Sequence, residues 1–340
     1  ASGYPSYTGS PEFRKAVAEW TRRRHAVALD PETEVCASIG AKEAVFHFPE
    51  AILDPGEVVL VPTPGYPPYA RGTRFAEGEC FHLPLGRDND YLPDLRKIPA
   101  AVLKRARILW INYPNNPTGA MAPDAFLRDA VAFTRKHGLV LASDEAYSEL
   151  YYGPTAPRSA LEFAGPGCEG VVAFQSFSKR SAMTGWRIGW VAGDARLVSL
   201  FKKVKTNIDS GTPTFIQDAA IASLKDDRHV ALMRAEYARK RGVLCTALRN
   251  LGLPDCSPAG TIYVWQEAPR GMTGEQFALR LLAPDIGVVT TPGAWISEPA
   301  ANGANPGARY VRFALVPSLP QVQEAVRRIV RAFGPRAARR

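Results

Sequence analysis

Residues 171–193 read VVAFQSFSKRSAMTGWRIGWVAG, two apolar runs enclosing a polar turn. Each run is short and rich in residues that suit a buried, pleated surface, which reads as two strands rather than one helix. Lys179 follows the first run behind Ser176 and Ser178, and Arg187 comes eight positions later. Taken alone, Lys179 is an ordinary solvated lysine. Its meaning depends on what the rest of the chain places beside it.

Outward from this stretch the chain alternates. The runs EVVLVP (57–62), ARILWINY (106–113) and LVLASDEAY (139–147) are further short apolar strands, separated by helical stretches such as 123–137. Ser10 and Pro11, followed by Phe13, Val17 and Trp20 at helical spacing, predict a helix over 10–24 with a cap and a first-turn proline. This rhythm predicts an α/β fold with a mainly parallel sheet flanked by helices on both faces. From Ala195 the pattern becomes helical over 197–205, 215–224 and 229–251. Strands at 260–267, 286–293 and 309–315, with helices over 273–282 and 319–333, then predict a smaller α+β unit. The expected division is a large domain over 1–228 and a small C-terminal domain over 229–340, the helix at 10–24 packing with either.

The 340 residues, 46% apolar and 22% charged, suit a globular chain of two domains. No apolar run approaches the about 20 residues of a membrane-spanning helix, and no export leader opens the sequence, so a soluble cytoplasmic protein without a membrane partner is expected. Ala1 opens directly into SGYPSYTG, which reads as mid-fold. Five scattered cysteines without a C-x-x-C pair point to reduced packing residues, with no disulfide framework and no metal site. The formal charge of +9 owes much to Arg22–Arg24 and the terminal GPRAARR. Such runs are solvated faces or frayed tails, so no nucleic-acid partner is expected.

In open α/β sheets the chemistry lies beyond the carboxyl ends of the strands. Those ends deliver Asp144 and Tyr147, Asn116 in NNPTG, Ser178 with Lys179, and, in the small unit, Arg312. Each has a local structural role open to it, as cap, turn or surface ion pair. Together they match one chemistry, that of a lysine bonded to the aldehyde of pyridoxal 5'-phosphate (PLP). Asp144 suits the pyridine nitrogen, and Asn116 and Tyr147 suit the ring hydroxyl. Ser176, Ser178, the turn at Gly40-Ala41-Lys42 and Arg187 suit the phosphate. Tyr66 in PGYPPY offers an aromatic face for the ring.

GAKEA (40–44), PTPGYPPY (62–69), NYPNNPTG (112–119), SDEAY (143–147), SFSK (176–179) and YVRFAL (310–315) stand in the order seen in fold-type I, class I/II PLP-dependent aminotransferases, and nearly the whole chain resembles that family. The resemblance implies Lys179 as the Schiff-base lysine, Asp144 as the pyridine-nitrogen partner, and Asn116 and Tyr147 as ring-hydroxyl ligands. It implies Ser176, Ser178 and Arg187 on the phosphate, Tyr66 on the ring and Arg312 on the substrate α-carboxylate. Tyr4 matches the family tyrosine that reaches into the partner subunit's site, which implies a homodimer with shared sites.

YPSYTGSPEFRKAVAEW (4–20), MTGWRIG (183–189) and VKTNIDSGTP (204–213) resemble LL-diaminopimelate aminotransferases and their succinyldiaminopimelate-acting relatives. The implied reaction passes an amino group from such a donor to a keto acid such as 2-oxoglutarate, in amino-acid and lysine biosynthesis. Asn207 is then a candidate for the far end of the substrate, with a helix cap as its structural alternative. Other donors (aspartate, methionine, aromatic amino acids), a C–S β-lyase of the same fold and a PLP-binding transcription regulator are the competing readings. The family's N-terminal segment, with its lid, has no counterpart in these residues. Arg180 and Glu145 stand where that subgroup usually has a threonine and a small residue.

Overall fold

The computed structural model describes residues 3–300 and 303–334. Seven strands share one sheet: β1 (Val35–Ser38), β2 (Val58–Thr63), β3 (Glu79–Pro84), β4 (Ala106–Asn112), β5 (Val140–Asp144), β6 (Val171–Ser176) and β7 (Gly189–Gly193). Their spatial order is β1-β7-β6-β5-β4-β2-β3. The pairs from β3 through β6 are parallel, and β7 runs antiparallel to both β6 and β1. Strands β2, β5, β6 and β7 are buried at every position, as expected for a sheet covered on both faces. Alternate residues of β4 serve opposite cores. Leu109 and Ile111 pack with Leu127 and Val131 of the helix Asp124–His137, while Ile108 and Trp110 pack with Phe48, Leu197 and Phe201.

The N-terminal helix, Pro11–His25, starts where expected: Ser10 Oγ accepts the Phe13 N–H, and Pro11 takes a position that needs no hydrogen bond. Its Phe13, Val17 and Trp20 pack beside β1 and β7, so it belongs with the large sheet. The helix Arg228–Asn250, about 35 Å long at 1.5 Å per residue, leads to a second, antiparallel sheet of β8 (Tyr263–Glu267), β9 (Thr291–Pro292) and β10 (Tyr310–Ala314), in the order β8-β10-β9. That sheet has its own core of Leu244, Leu248, Val264, Phe277, Val311 and Ile329.

Three expectations change. The strands β1 and β3 lie in stretches where no strand was expected. The run 286–293 forms only the two residues of β9, because the Gly287 and Val288 N–H groups are taken by Ala283 O and Leu281 O at the end of the helix Gly274–Leu282. The basic run at 22–24 is a solvated face only in part: Arg22 and Arg23 are exposed, Arg23 donating to Leu224 O, while half-buried Arg24 pairs with Glu149 at 2.8 Å. The basic residues at 335–340 lie outside the described residues. All five cysteines are free. Among the described residues no helix is long and apolar enough to cross a membrane.

After β6 the chain makes one helical turn, Phe177–Arg180. Arg180 is 2% exposed and donates to Ser223 O at 2.9 Å, to Ser223 Oγ at 3.1 Å and to Asp227, with its guanidinium 5.5 Å from the Trp20 ring. It thereby ties the turn carrying Lys179 to the helix Thr214–Lys225 and to Trp20. Arg180→Ala should cost about 2 kcal/mol, from the cavity and the unpaired Ser223 carbonyl. Asp227→Asn, at a half-exposed position, should cost less than about 1 kcal/mol. Urea unfolding of both variants measures the difference.

Candidate active site

Three adjacent strands, β6, β5 and β4, end at one cleft, and β10 approaches it from the small sheet. The resulting cavity of about 440 Å³ is lined by Lys179, Asp144, Tyr147, Asn116, Ser176, Ser178, Arg187, Arg312, Tyr66, Ala41 and Lys42 among others. Asp144 ends β5 and is 5% exposed. Tyr69 Oη donates to its Oδ2 at 2.6 Å and the Ala146 N–H to its Oδ1 at 3.1 Å. Burial nevertheless pushes the carboxyl up to about 6, the Tyr69 bond opposing that rise. Lys179 Nζ lies 5.7 Å from the centre of the Tyr147 ring. The Tyr147 hydroxyl is pushed upward, first by burial and then by its neighbour Tyr263.

One flank is built for an anion. Ser176 Oγ caps the Lys179 turn by accepting the Ser178 N–H at 3.2 Å. Arg187 donates to Thr184 O at 2.9 Å, to Ile39 O at 3.3 Å and, at 3.5 Å, to Ser178 Oγ, so its bonds go to neutral oxygens. Gly40 has φ +73° and a Cβ there would run into the Arg187 guanidinium, so the turn before Ala41 requires glycine twice over. Buried Lys205 fixes that turn from behind. It pairs with Glu43 at 3.5 Å and Asp209 at 2.5 Å, and Glu43 Oε2 accepts the Ile39 N–H at 2.9 Å.

The opposite flank holds Arg312, which donates to Asn116 Oδ1 at 3.0 Å and Thr291 Oγ1 at 3.4 Å. Its buried Nε has no hydrogen-bond partner among the described residues. A cation bonded only to neutral oxygens, with a spare donor, is suited to an incoming carboxylate. Asn116 is set by its own N–H, which donates to Asn112 Oδ1 at 2.8 Å.

Two cationic flanks around an amine and a buried acid are what group transfer between charged amino and keto acids needs, and residues 1–329 match the family described as aminotransferase class I and II. The chain belongs to the class I and II aminotransferases. It is 42% identical over 327 residues, 96% of this chain and 82% of the other, to the LL-diaminopimelate aminotransferase of Syntrophobacter fumaroxidans, and 43% identical over 328 residues, at the same coverage, to that of Aquifex aeolicus. Among solved structures, apo BacF from Bacillus subtilis superposes with a TM-score of 0.90 at 34% identity, over 97% of this chain and 86% of that one. A probable N-succinyldiaminopimelate aminotransferase from Thermus thermophilus gives 0.89 at 32% identity, over 97% and 86%. The protein is a transaminase. None of these relatives bears a lyase or regulator name, so those readings gain nothing.

Two residues singled out in the sequence lie outside this aminotransferase's own cavity. Tyr4 is 89% exposed. Asn207 is exposed and its Nδ2 donates to Lys203 O at 3.2 Å, closing the end of the helix Ala195–Lys205, while Asp209 Oδ1 accepts the Gly211 N–H. The structural alternative for that stretch is therefore present. Glu145 does not line the cavity either. Its carboxylate accepts from Ser143 Oγ, Ser159 Oγ and the Ala160 N–H, and so secures the turn at 159–160. The sequence reading missed Tyr69, Tyr263 and Lys205. Tyr69 stood in the quoted PGYPPY motif, but nothing local says that it, and not Tyr66, reaches the carboxylate.

Because the folded-state value of Asp144 is raised, its contribution to stability is full below the unfolded value near 3.8 and is lost as pH rises through about 6. Ligand-free protein should lose up to about 3 kcal/mol across that interval through this group. Asp144→Asn should flatten the profile, and Tyr69→Phe should move its upper end to higher pH. Urea unfolding at stepped pH reads all three.

Proposed function

We propose that this transaminase works with PLP and that its amino donor is LL-diaminopimelate or a succinylated derivative, with a keto acid such as 2-oxoglutarate as acceptor. The observation that carries the cofactor reading is the pairing of Lys179 with a buried acid, Asp144, that has no cationic partner among the described residues. A protonated pyridine nitrogen is a cation that such an acid accommodates. The rest of the donor set fits too: a glycine cradle beside Arg187 for phosphate, and the orphaned Arg312 Nε for a carboxylate. A cavity of about 440 Å³ is of the size that small-molecule cofactor sites have.

When bound, PLP supplies a sink for the electron pair left on the substrate Cα as its proton departs. Asp144 holds the proton on the ring nitrogen. Asn116 Nδ2 and Tyr147 Oη donate to the ring hydroxyl, and Tyr66 covers the ring. Ser176, Ser178, the Ala41 N–H, Lys42 and Arg187 hold the phosphate. Arg312 would grip the α-carboxylate and so orient the Cα–H bond towards Lys179, whose Nζ would take that proton. In this scheme residues 1–228 form the domain that carries the phosphate cup and Lys179, and residues 229–340 the domain that carries Arg312.

The donor proposal is supported by the names of relatives more than 40% identical over nearly all of this chain. We also propose a homodimer with shared sites, in which Tyr4 and Asn207 of one subunit face the other's substrate. Their exposure, and that of Trp186 and Phe215, supports this.

On loading with PLP the protein should gain a visible absorption band that LL-diaminopimelate, without any keto acid, bleaches at lower concentration than aspartate, methionine or phenylalanine does. A better response to one of those donors overturns the donor assignment alone. Lys179→Ala should remove turnover entirely, and Gly40→Ala should weaken PLP binding by about tenfold or more, since it strains the backbone and crowds Arg187. Asn207→Ala should raise KM for diaminopimelate more than for alanine, and equal changes remove the dimer-site role given to it.

A further inference from the structure

Tyr263 touches both halves of the site. On the small sheet, Arg312 stands opposite Trp265 and Tyr263 opposite Ala314, so Arg312 and Tyr263 are diagonal neighbours on one face. The Arg312 guanidinium carbon lies 4.3 Å from the centre of the Tyr263 ring. Asn116 and Thr291 hold the edge of the guanidinium, and the ring holds its face. With both fixed, the group cannot roll, and its remaining donors keep one direction.

The other end of Tyr263 meets the large sheet. Its ring lies 5.8 Å from that of Tyr147, and the Tyr147 hydroxyl donates to Tyr263 Oη at 3.3 Å. A phenol has one hydrogen and two lone pairs. When Tyr147 donates to a cofactor oxygen instead, Tyr263 keeps its own hydrogen and is placed to donate to Tyr147 Oη. Donation into a phenol oxygen strengthens that phenol as a donor.

We propose that Tyr263 is a positioning residue that acts on both reacting partners: its ring sets the plane of Arg312, and its hydroxyl directs and strengthens the bond that Tyr147 gives to the cofactor. The proposal rests on the reading of Arg312 as the carboxylate ligand and of Tyr147 as the ring-hydroxyl donor. Its two parts separate by substitution, since Tyr263→Phe removes only the hydroxyl and Tyr263→Leu removes the ring as well.

The test uses the PLP-loaded protein and two readouts besides turnover: the pH midpoint of the visible band, and the inhibition constant of succinate as an unreactive carboxylate. Tyr147 stabilises negative charge on the ring oxygen and so favours loss of the proton from the lysine–cofactor linkage. Tyr263→Phe should therefore move the midpoint upward by about half a pH unit or more, with succinate binding within about twofold of the parent. Tyr263→Leu should add a weakening of succinate by about tenfold. An unmoved midpoint in Tyr263→Phe overturns the hydroxyl role, and parental succinate binding in Tyr263→Leu overturns the ring role. Arg312→Gln separates these failures from that of the underlying reading. If it leaves succinate binding intact, the assignment of Arg312 falls and the ring role with it; if no band forms in the parent protein, the cofactor reading falls and takes the hydroxyl role with it.

Discussion

A carboxylate held almost out of water, with no cationic partner among the described residues, is costly unless something offsets the lost hydration. Asp144 is in that position at the carboxyl end of β5, and the Tyr69 hydroxyl and the Ala146 N–H compensate only in part. The arrangement is thus poised for a cationic ligand. Strand order does the rest. With β5 between β4 and β6, and parallel neighbours about 4.8 Å apart, the acid has the Asn112–Asn116 amides on one side and the Ser176–Lys179 turn on the other.

The second sheet closes the site through a few directed contacts. Arg312 reaches Asn116 across the cleft, and Thr63 Oγ1 exchanges bonds with the Glu298 backbone while the Gly65 N–H donates to Ile296 O. These bonds hold Ile296 and Arg312 at the cavity wall. A carboxylate bound there would be clamped between groups from both sheets, which turns binding energy into orientation at the reacting carbon.

Buried cations recur behind the site. Lys205, with Glu43 and Asp209, and Arg180, with Asp227 and Ser223, each carry a buried positive charge whose desolvation offsets much of what its partners contribute. Their effect is geometric. From Lys205 the chain of bonds runs through Glu43 to the Ile39 N–H, and the Ile39 carbonyl receives Arg187, so an ion pair under the surface sets the shape of the anion cradle.

The residue types at the strand ends were legible because the strands around them are short, apolar and flanked by turn residues. Lys179, Asp144 and Asn116 could be named from that pattern; Arg312, in the middle of β10, came from the YVRFAL motif, and the motifs together carried the family. Strands β1 and β3 were not, since four residues (VCAS) and a half-exposed edge (ECFHLP) give too little periodicity to separate from loop. Tyr69, Tyr263 and Lys205 were hidden for another reason. Tyr69 and Tyr263 meet partners 75 and 116 positions away, and Lys205, besides Asp209 four residues on, reaches Glu43 at 162, and no local pattern specifies contacts at that range. Sequence determined which chemical groups this protein owns and the elements that carry most of them. Only the tertiary structure decided which phenol meets the carboxylate, which ring lies under the guanidinium and which lysine is buried, because burial and proximity are properties of packed elements and not of neighbouring residues.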